Sequence, residues 1–184
     1  MKISVFGVGK VGITLIAAII NNNHKVIGVD KNKNLLKKIN NRNFLFDEPG
    51  VQQILERKIK LLSATDDVQY AIKNTNFSFI IVPTNSNKIG GFSNKYINEV
   101  LTGIAKAIKS KKTYHTISIV STVVPGSSVF ELIPLIEKYS GKDAQKDFGF
   151  CYNPSFIAQG EIMKGIVTPD YVLIGENSKK SGKL

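Results

Sequence analysis

The chain has 184 residues, 42% of them hydrophobic and 21% charged, which suits one domain with a single core and excludes disordered, collagen-like and coiled-coil classes. Its formal charge of +11 rests on 23 lysines and only two arginines spread along the sequence. Specific readout of nucleic acid leans on the bidentate arginine fork, so no nucleic-acid partner is expected.

Lys2 to Phe6 reads as the first strand, and it runs into the loop Gly7-Val8-Gly9-Lys10-Val11-Gly12. Lys10 to Asn22 follows as an amphipathic helix, with Val11, Leu15, Ala18 and Ile19 on one face. Its longest nearly apolar run, Ile13 to Ile20, is far short of the ~20 residues that span a membrane. The glycines at 7, 9 and 12 also break any signal-peptide core, so a cytoplasmic protein with no membrane partner is expected. Lys25 to Val29 is the second strand and ends at Asp30. Asn40 to Gln53 fits no regular element; its Asp47-Glu48-Pro49-Gly50 run suggests an ordered loop leading into a short helix from Val51 to Arg57.

A short strand near Lys60 to Ser63 and a helix from Asp66 to Lys73, capped by Thr65, precede the strand Phe77 to Val82. Asn94 to Lys109 carries Ile97, Leu101, Ile104 and Ile108 at helical spacing. His115 to Ser121 is a further strand, followed by a helix after Gly126 that Pro134 should kink. Phe148 to Tyr152 and Tyr171 to Ile174 complete the strands. Several are continuously apolar, which means burial on both faces and a parallel sheet between helices. The expected fold is α/β: one doubly wound, mostly parallel sheet over residues 1–184, with 1–175 as core and 176–184 as a polar tail.

The glycine loop carries the strongest chemical signal. Gly7 permits a tight turn, Gly9 lets a pyrophosphate approach the backbone, and Gly12 lets the helix pack on the sheet. The anion then meets the unpaired amides at the helix start. Asp30, 18 residues after Gly12, is placed to accept hydrogen bonds from the ribose hydroxyls, which favours NAD over NADP. The neighbouring Lys31 pulls the other way. Gly7, Val8, Gly9, Lys10, Val11, Gly12 and Asp30 are therefore candidate cofactor residues.

Four more segments follow or connect strands: Glu48-Pro49-Gly50, Val82-Pro83-Thr84, Ser121-Thr122-Val123-Val124-Pro125-Gly126 and Asn153-Pro154-Ser155-Phe156. With the glycine loop, their order and spacing resemble the Rossmann-like NAD-binding domain of the UDP-glucose/GDP-mannose dehydrogenase family. The resemblance implies NAD as cofactor and a nucleotide sugar as substrate, whose C6 alcohol is oxidised to a carboxylate by two hydride transfers. It also implies that Val82, Pro83, Thr84, Ser121 and Thr122 line the nicotinamide side, and that Thr122 faces the reacting centre and helps position a water. Two positions depart from the family. Ser155 stands where glutamate is usual after Asn-Pro, and Gln159 stands where a second acidic residue is common, which removes proton-accepting capacity there. By the same resemblance, a central helix and a second domain with the nucleophilic cysteine lie outside this chain, and the full-length protein is a homodimer.

Other residues have plainer readings. One cysteine and two separated histidines offer neither a disulfide nor metal-ligand spacing. Cys151 reads as a buried core thiol, and His24 and His115 as surface or strand-end residues. Ser121, His115 and Asp170 make no hydrolase triad without a Gly-x-Ser-x-Gly elbow. A non-catalytic dinucleotide-sensing module would share the glycine loop and Asp30 but has no need of the segments after the fifth and sixth strands. A β-hydroxyacid-type dehydrogenase shares the opening but not Glu48-Pro49-Gly50.

Overall fold

The computed structural model describes residues 1–43, 48–86, 91–158 and 160–183. Among the described residues, seven strands form one sheet: β1 (Lys2–Phe6), β2 (Lys25–Val29), β3 (Leu62–Thr65), β4 (Phe77–Ile80), β5 (His115–Ile119), β6 (Phe148–Tyr152) and β7 (Gly175–Glu176). Their order is β3-β2-β1-β4-β5-β6-β7, parallel except for β7. The chain therefore winds one way from β1 to β3 and then returns to β4 on the other side of β1. A crevice opens at the carboxyl ends of β1 and β4, where an α/β sheet receives its ligand.

Helices cover both faces, as the continuous apolar strands require. On one face, α1 (Lys10–Asn21) contributes Ile13, Ile16 and Ile20, and α3 (Val51–Lys58) contributes Val51 and Leu55, against Val5 and Val26 of the sheet. On the other, α4 (Val68–Asn74), α5 (Lys95–Ile108) and α6 (Ile133–Ser140) pack against Ile80, Ile117 and Phe150. A π-helical turn, Ser128–Leu132, leads into α6. Pro134 has no N–H for the carbonyl four residues back, so the helix widens ahead of the proline.

Several boundaries differ from the sequence reading. Residues 33–40 form a helix, α2 (Lys33–Asn40), capped by the Asn32 side chain, which accepts from the Leu35 N–H at 3.1 Å. A 3₁₀ turn at Ile59–Leu61 extends α3 and delays β3 to Leu62. The cap of α4 is Asp67, which accepts from the Tyr70 N–H at 2.9 Å, while Thr65 Oγ1 accepts from the Asp67 N–H one step earlier. β4 and β5 end two residues earlier than expected. Both the Val120 and Ser121 N–H groups bond to the Ile80 carbonyl, which closes the ladder and turns both chains toward the crevice.

Residues 171–174 are not a strand and are 47–61% exposed. Pairing begins only at Gly175 and Glu176, antiparallel to Tyr152 and Cys151. Before that, the Asn153 side-chain amide donates to the Leu173 carbonyl at 2.8 Å. The polar residues beyond 175 are packed against β6: Asn177 exchanges two hydrogen bonds with the Phe150 backbone, and α8 (Lys179–Gly182) follows with Ser181 only 2% exposed. Helix α7 (Ile162–Val167) lies against α1.

Cys151 is buried, as expected, and burial pushes its thiol up. The Met1 ammonium donates a hydrogen bond to His24 Nδ1 at 3.0 Å. His115 begins β5 but is 1% exposed, contrary to a surface reading, because Ser78 and Lys111 bond its two ring nitrogens.

Candidate functional site

The glycine loop fills the turn between β1 and α1, and each of its three glycines meets a different constraint. Gly7 has φ +93°, and a Cβ there would come within 2.4 Å of the Ile81 carbonyl oxygen. A Cβ on Gly12 would lie 1.9 Å from the Gly7 oxygen. Gly9 has open space on the side where its Cβ would stand. Two glycines are thus required by the protein's own packing, while the third leaves the backbone bare at the start of α1. The amides of the first turn of α1 have no intrahelical acceptor, and no side chain caps them at Gly9. This arrangement fits a pyrophosphate.

Asp30, just past β2, accepts from the Val8 N–H through Oδ2 at 2.8 Å and from the Asn32 N–H through Oδ1 at 2.9 Å. Val8 is fully buried and its N–H is committed to Asp30, so it shapes the loop rather than facing the crevice. Lys10 is the first residue of α1, with its side chain 46% exposed.

Two cavities flank the loop. The larger, about 540 Å³, is lined by Gly7, Asp30, Lys31, Val82, Pro83 and Tyr96 among others. Asp66 and Glu99 add two more carboxylates to its wall. The Lys31 ammonium stands 4.4 Å from the Tyr96 ring centroid. The smaller, about 140 Å³, lies against α1 and is lined by Val11, Leu15, Ile81, Val120, Pro154 and Ser155 among others.

Val82 and Pro83 border the cavity that holds Asp30 and do not line the one with Val11 and Ser155. The chain leaves β4 toward the Asp30 side as soon as the ladder closes. Ser121 is buried and donates to the Val82 carbonyl at 2.7 Å, which holds that turn in place. Thr84 is half-buried and borders neither cavity; Thr122 is exposed next to Ser121 and also borders neither. Ser155 is exposed at the mouth of the smaller cavity. Gln159 lies outside the described residues.

Sequence reasoning missed Tyr96, Asp66 and Glu99 in the larger cavity, and it read Glu48 as part of a loop and of a family segment with no role of its own. Nothing in their local pattern distinguishes them, since tertiary packing brings them to the crevice. Among the described residues, no group of three or more His, Cys, Asp or Glu side chains could hold a metal ion, and no helix is long and apolar enough to cross a membrane.

A switch-point crevice, a bare glycine at a helix start and a carboxylate after β2 define a dinucleotide-binding domain. Comparison with known proteins narrows that class. The model of the UDP-glucose/GDP-mannose dehydrogenase family, NAD binding domain, matches residues 1–184, and the chain belongs to this family. GDP-mannose 6-dehydrogenase of Pseudomonas syringae pv. syringae is 38% identical over 184 residues, which cover 99% of this chain and 42% of that protein. UDP-glucose 6-dehydrogenase AglM of Haloferax volcanii is 28% identical over 182 residues, covering 98% and 42%. The solved ternary complex of GDP-mannose dehydrogenase from Pseudomonas aeruginosa superposes with a TM-score of 0.96 at 37% identity, over 100% of this chain and 42% of that one. This chain thus spans less than half the length of the relatives it matches.

Proposed function

We propose that this chain is the cofactor-holding part of a nucleotide-sugar 6-dehydrogenase, an oxidoreductase that converts the C6 alcohol of a UDP- or GDP-sugar to a uronate. The bare Gly9 amide loop beside Asp30 is the observation that carries this reading, and the names of the similar proteins supply the substrate class. The glycine loop takes the pyrophosphate, and the larger cavity takes the adenosine. Asp30 accepts from its ribose hydroxyls, and Tyr96 with Val68 supplies apolar wall for the base. The smaller cavity, beside Val11 and Ser155, takes the nicotinamide end. NAD bound there supplies the hydride acceptor.

The remaining chemistry belongs to side chains of this domain and of the part beyond it. Thr122 lies outside both cavities, and its exposed hydroxyl after β5 is assigned to orienting a water once the part of the protein beyond these residues completes the site. Ser155 can donate or accept a hydrogen bond but is a poor base near neutral pH, so it orients rather than removes a proton. The nucleophile and most sugar contacts are assigned to residues outside these 184, in a cytoplasmic, homodimeric protein that makes precursors for polysaccharide.

The purified chain should then bind NADH in a calorimetric titration yet produce no steady NADH from UDP-glucose or GDP-mannose. Without a positioned nucleophile and sugar, the ~7–11 kcal/mol that proximity contributes is forfeited. Absence of NADH binding would remove the cofactor assignment, and steady turnover would place the whole reaction within this chain.

A further inference from the structure

Glu48 is a buried carboxylate for which the cofactor reading has no task. Its side chain is 1% exposed. Oε1 accepts a hydrogen bond at 3.1 Å from the N–H of Met163, 115 residues away. Oε2 has no hydrogen-bond partner among the described residues and lies 4.0 Å from the Lys10 ammonium. A carboxylate taken out of water is costly unless a neighbouring charge compensates it. Lys10 is the cation that the described residues place against it.

The two partners of Glu48 lie on α1 and α7, helices that pack together and both lend residues to the smaller cavity, Val11 and Leu15 from one and Gly165 and Ile166 from the other. Lys10 opens α1 in the glycine loop, and Met163 is the second residue of α7, which follows the loop carrying Ser155. The buried carboxylate thus fastens the Ser155 side of the site to the base of the glycine loop. It does so at a cost, because its negative charge sits against Lys10, the first residue of the helix whose amino end takes the dinucleotide's own negative charge in the reading above.

We propose that Glu48 is a positioning residue that anchors α7 and the Ser155 loop, and that Lys10 serves mainly to shield the anion site from the Glu48 charge. This rests on the dinucleotide reading above. Lys10 matters to cofactor affinity because Glu48 is there. With Lys10 removed, the pyrophosphate faces an uncompensated buried carboxylate; with Glu48 also made neutral, the lysine has far less to do.

The test is a double-mutant cycle read by calorimetric NADH titration of the full chain, with amide hydrogen exchange of residues 153–167 followed on the same samples. Lys10→Met should weaken NADH binding about tenfold in the unaltered background and only about threefold or less in a Glu48→Gln background. Glu48→Gln keeps shape and an acceptor for Met163, so it should fold and leave exchange at that amide slow, whereas Glu48→Ala should speed it. Equal losses from Lys10→Met in both backgrounds would overturn the shielding role. Met163 exchange that is the same in all variants would overturn the anchor. If the unaltered chain binds no NADH, the dinucleotide reading itself fails and the shielding role with it, while the exchange arm still decides the anchor.

Discussion

The Asp30 carboxylate reaches back to the glycine loop, where Oδ2 accepts from the Val8 N–H at 2.8 Å. The residue proposed to bind ribose is therefore also a strut that holds the glycine loop. Asp30→Ala should weaken NADH binding by about 1–3 kcal/mol, because charge-assisted hydrogen bonds to the ligand and to the loop are lost together. It should also lower the thermal midpoint in the absence of cofactor. A variant that loses affinity with no change in midpoint would separate the two roles.

The glycines give a contrast that packing alone decides. Gly12→Ala puts a Cβ 1.9 Å from the Gly7 oxygen and should cost about 1–3 kcal/mol or more of stability, since backbone must move to admit it. Gly9 has φ −67° and open space beyond it, so Gly9→Ala should fold with a near-normal midpoint. The added methyl would then stand where the pyrophosphate is proposed to approach, and NADH affinity should fall at least about tenfold. Thermal melts with calorimetry on the two variants check both halves.

His115 makes the fold acid-sensitive. Its Nδ1 is 3.0 Å from the Lys111 ammonium and its Nε2 is 2.7 Å from Ser78 Oγ, which in turn lies 2.7 Å from Ser4 Oγ. Lys111 also donates to the Ile72 and Thr75 carbonyls. Nδ1 therefore accepts, and the neutral ring donates through Nε2 to Ser78. Burial first, and then the Lys111 charge, push the His115 pKa down to about 3. The unfolded chain, with an ordinary histidine near 6.5, takes up a proton in this interval that the folded chain refuses. The resulting stability is fully present above about pH 6.5 and is lost by up to about 1.4 kcal/mol per unit as pH falls toward 3. Urea melts between about pH 7 and pH 4 should show this slope, and His115→Gln should flatten it relative to the unaltered chain.

The glycine loop and Asp30 were legible because backbone constraints are written directly in residue type: Gly7 and Gly12 have no room for a Cβ, and the carboxylate follows a buried strand. The sheet was legible from continuous apolar runs. Helix α2 was not, since only Leu36 and Ile39 of its eight residues are buried among lysines and asparagines. Tyr171 to Ile174 carries strand-forming residues, yet its backbone has no ladder to join until Gly175. Val82 and Pro83 were recognisable as crevice residues, but which side they face depends on the Ser121 hydroxyl holding the Val82 carbonyl. The role of Glu48 depends on Met163, 115 residues away, which no local pattern can show.

Cofactor selectivity measures the central claim most directly. Asp30, Asp66 and Glu99 line the larger cavity, and its Lys31 is turned onto the Tyr96 ring, so a 2′-phosphate would meet three carboxylates and one engaged ammonium. Parallel calorimetric titrations of the unaltered chain should show NADH binding at least about tenfold more tightly than NADPH. Equal or tighter binding of NADPH would contradict the assignment of Asp30 to the ribose and of the larger cavity to adenosine.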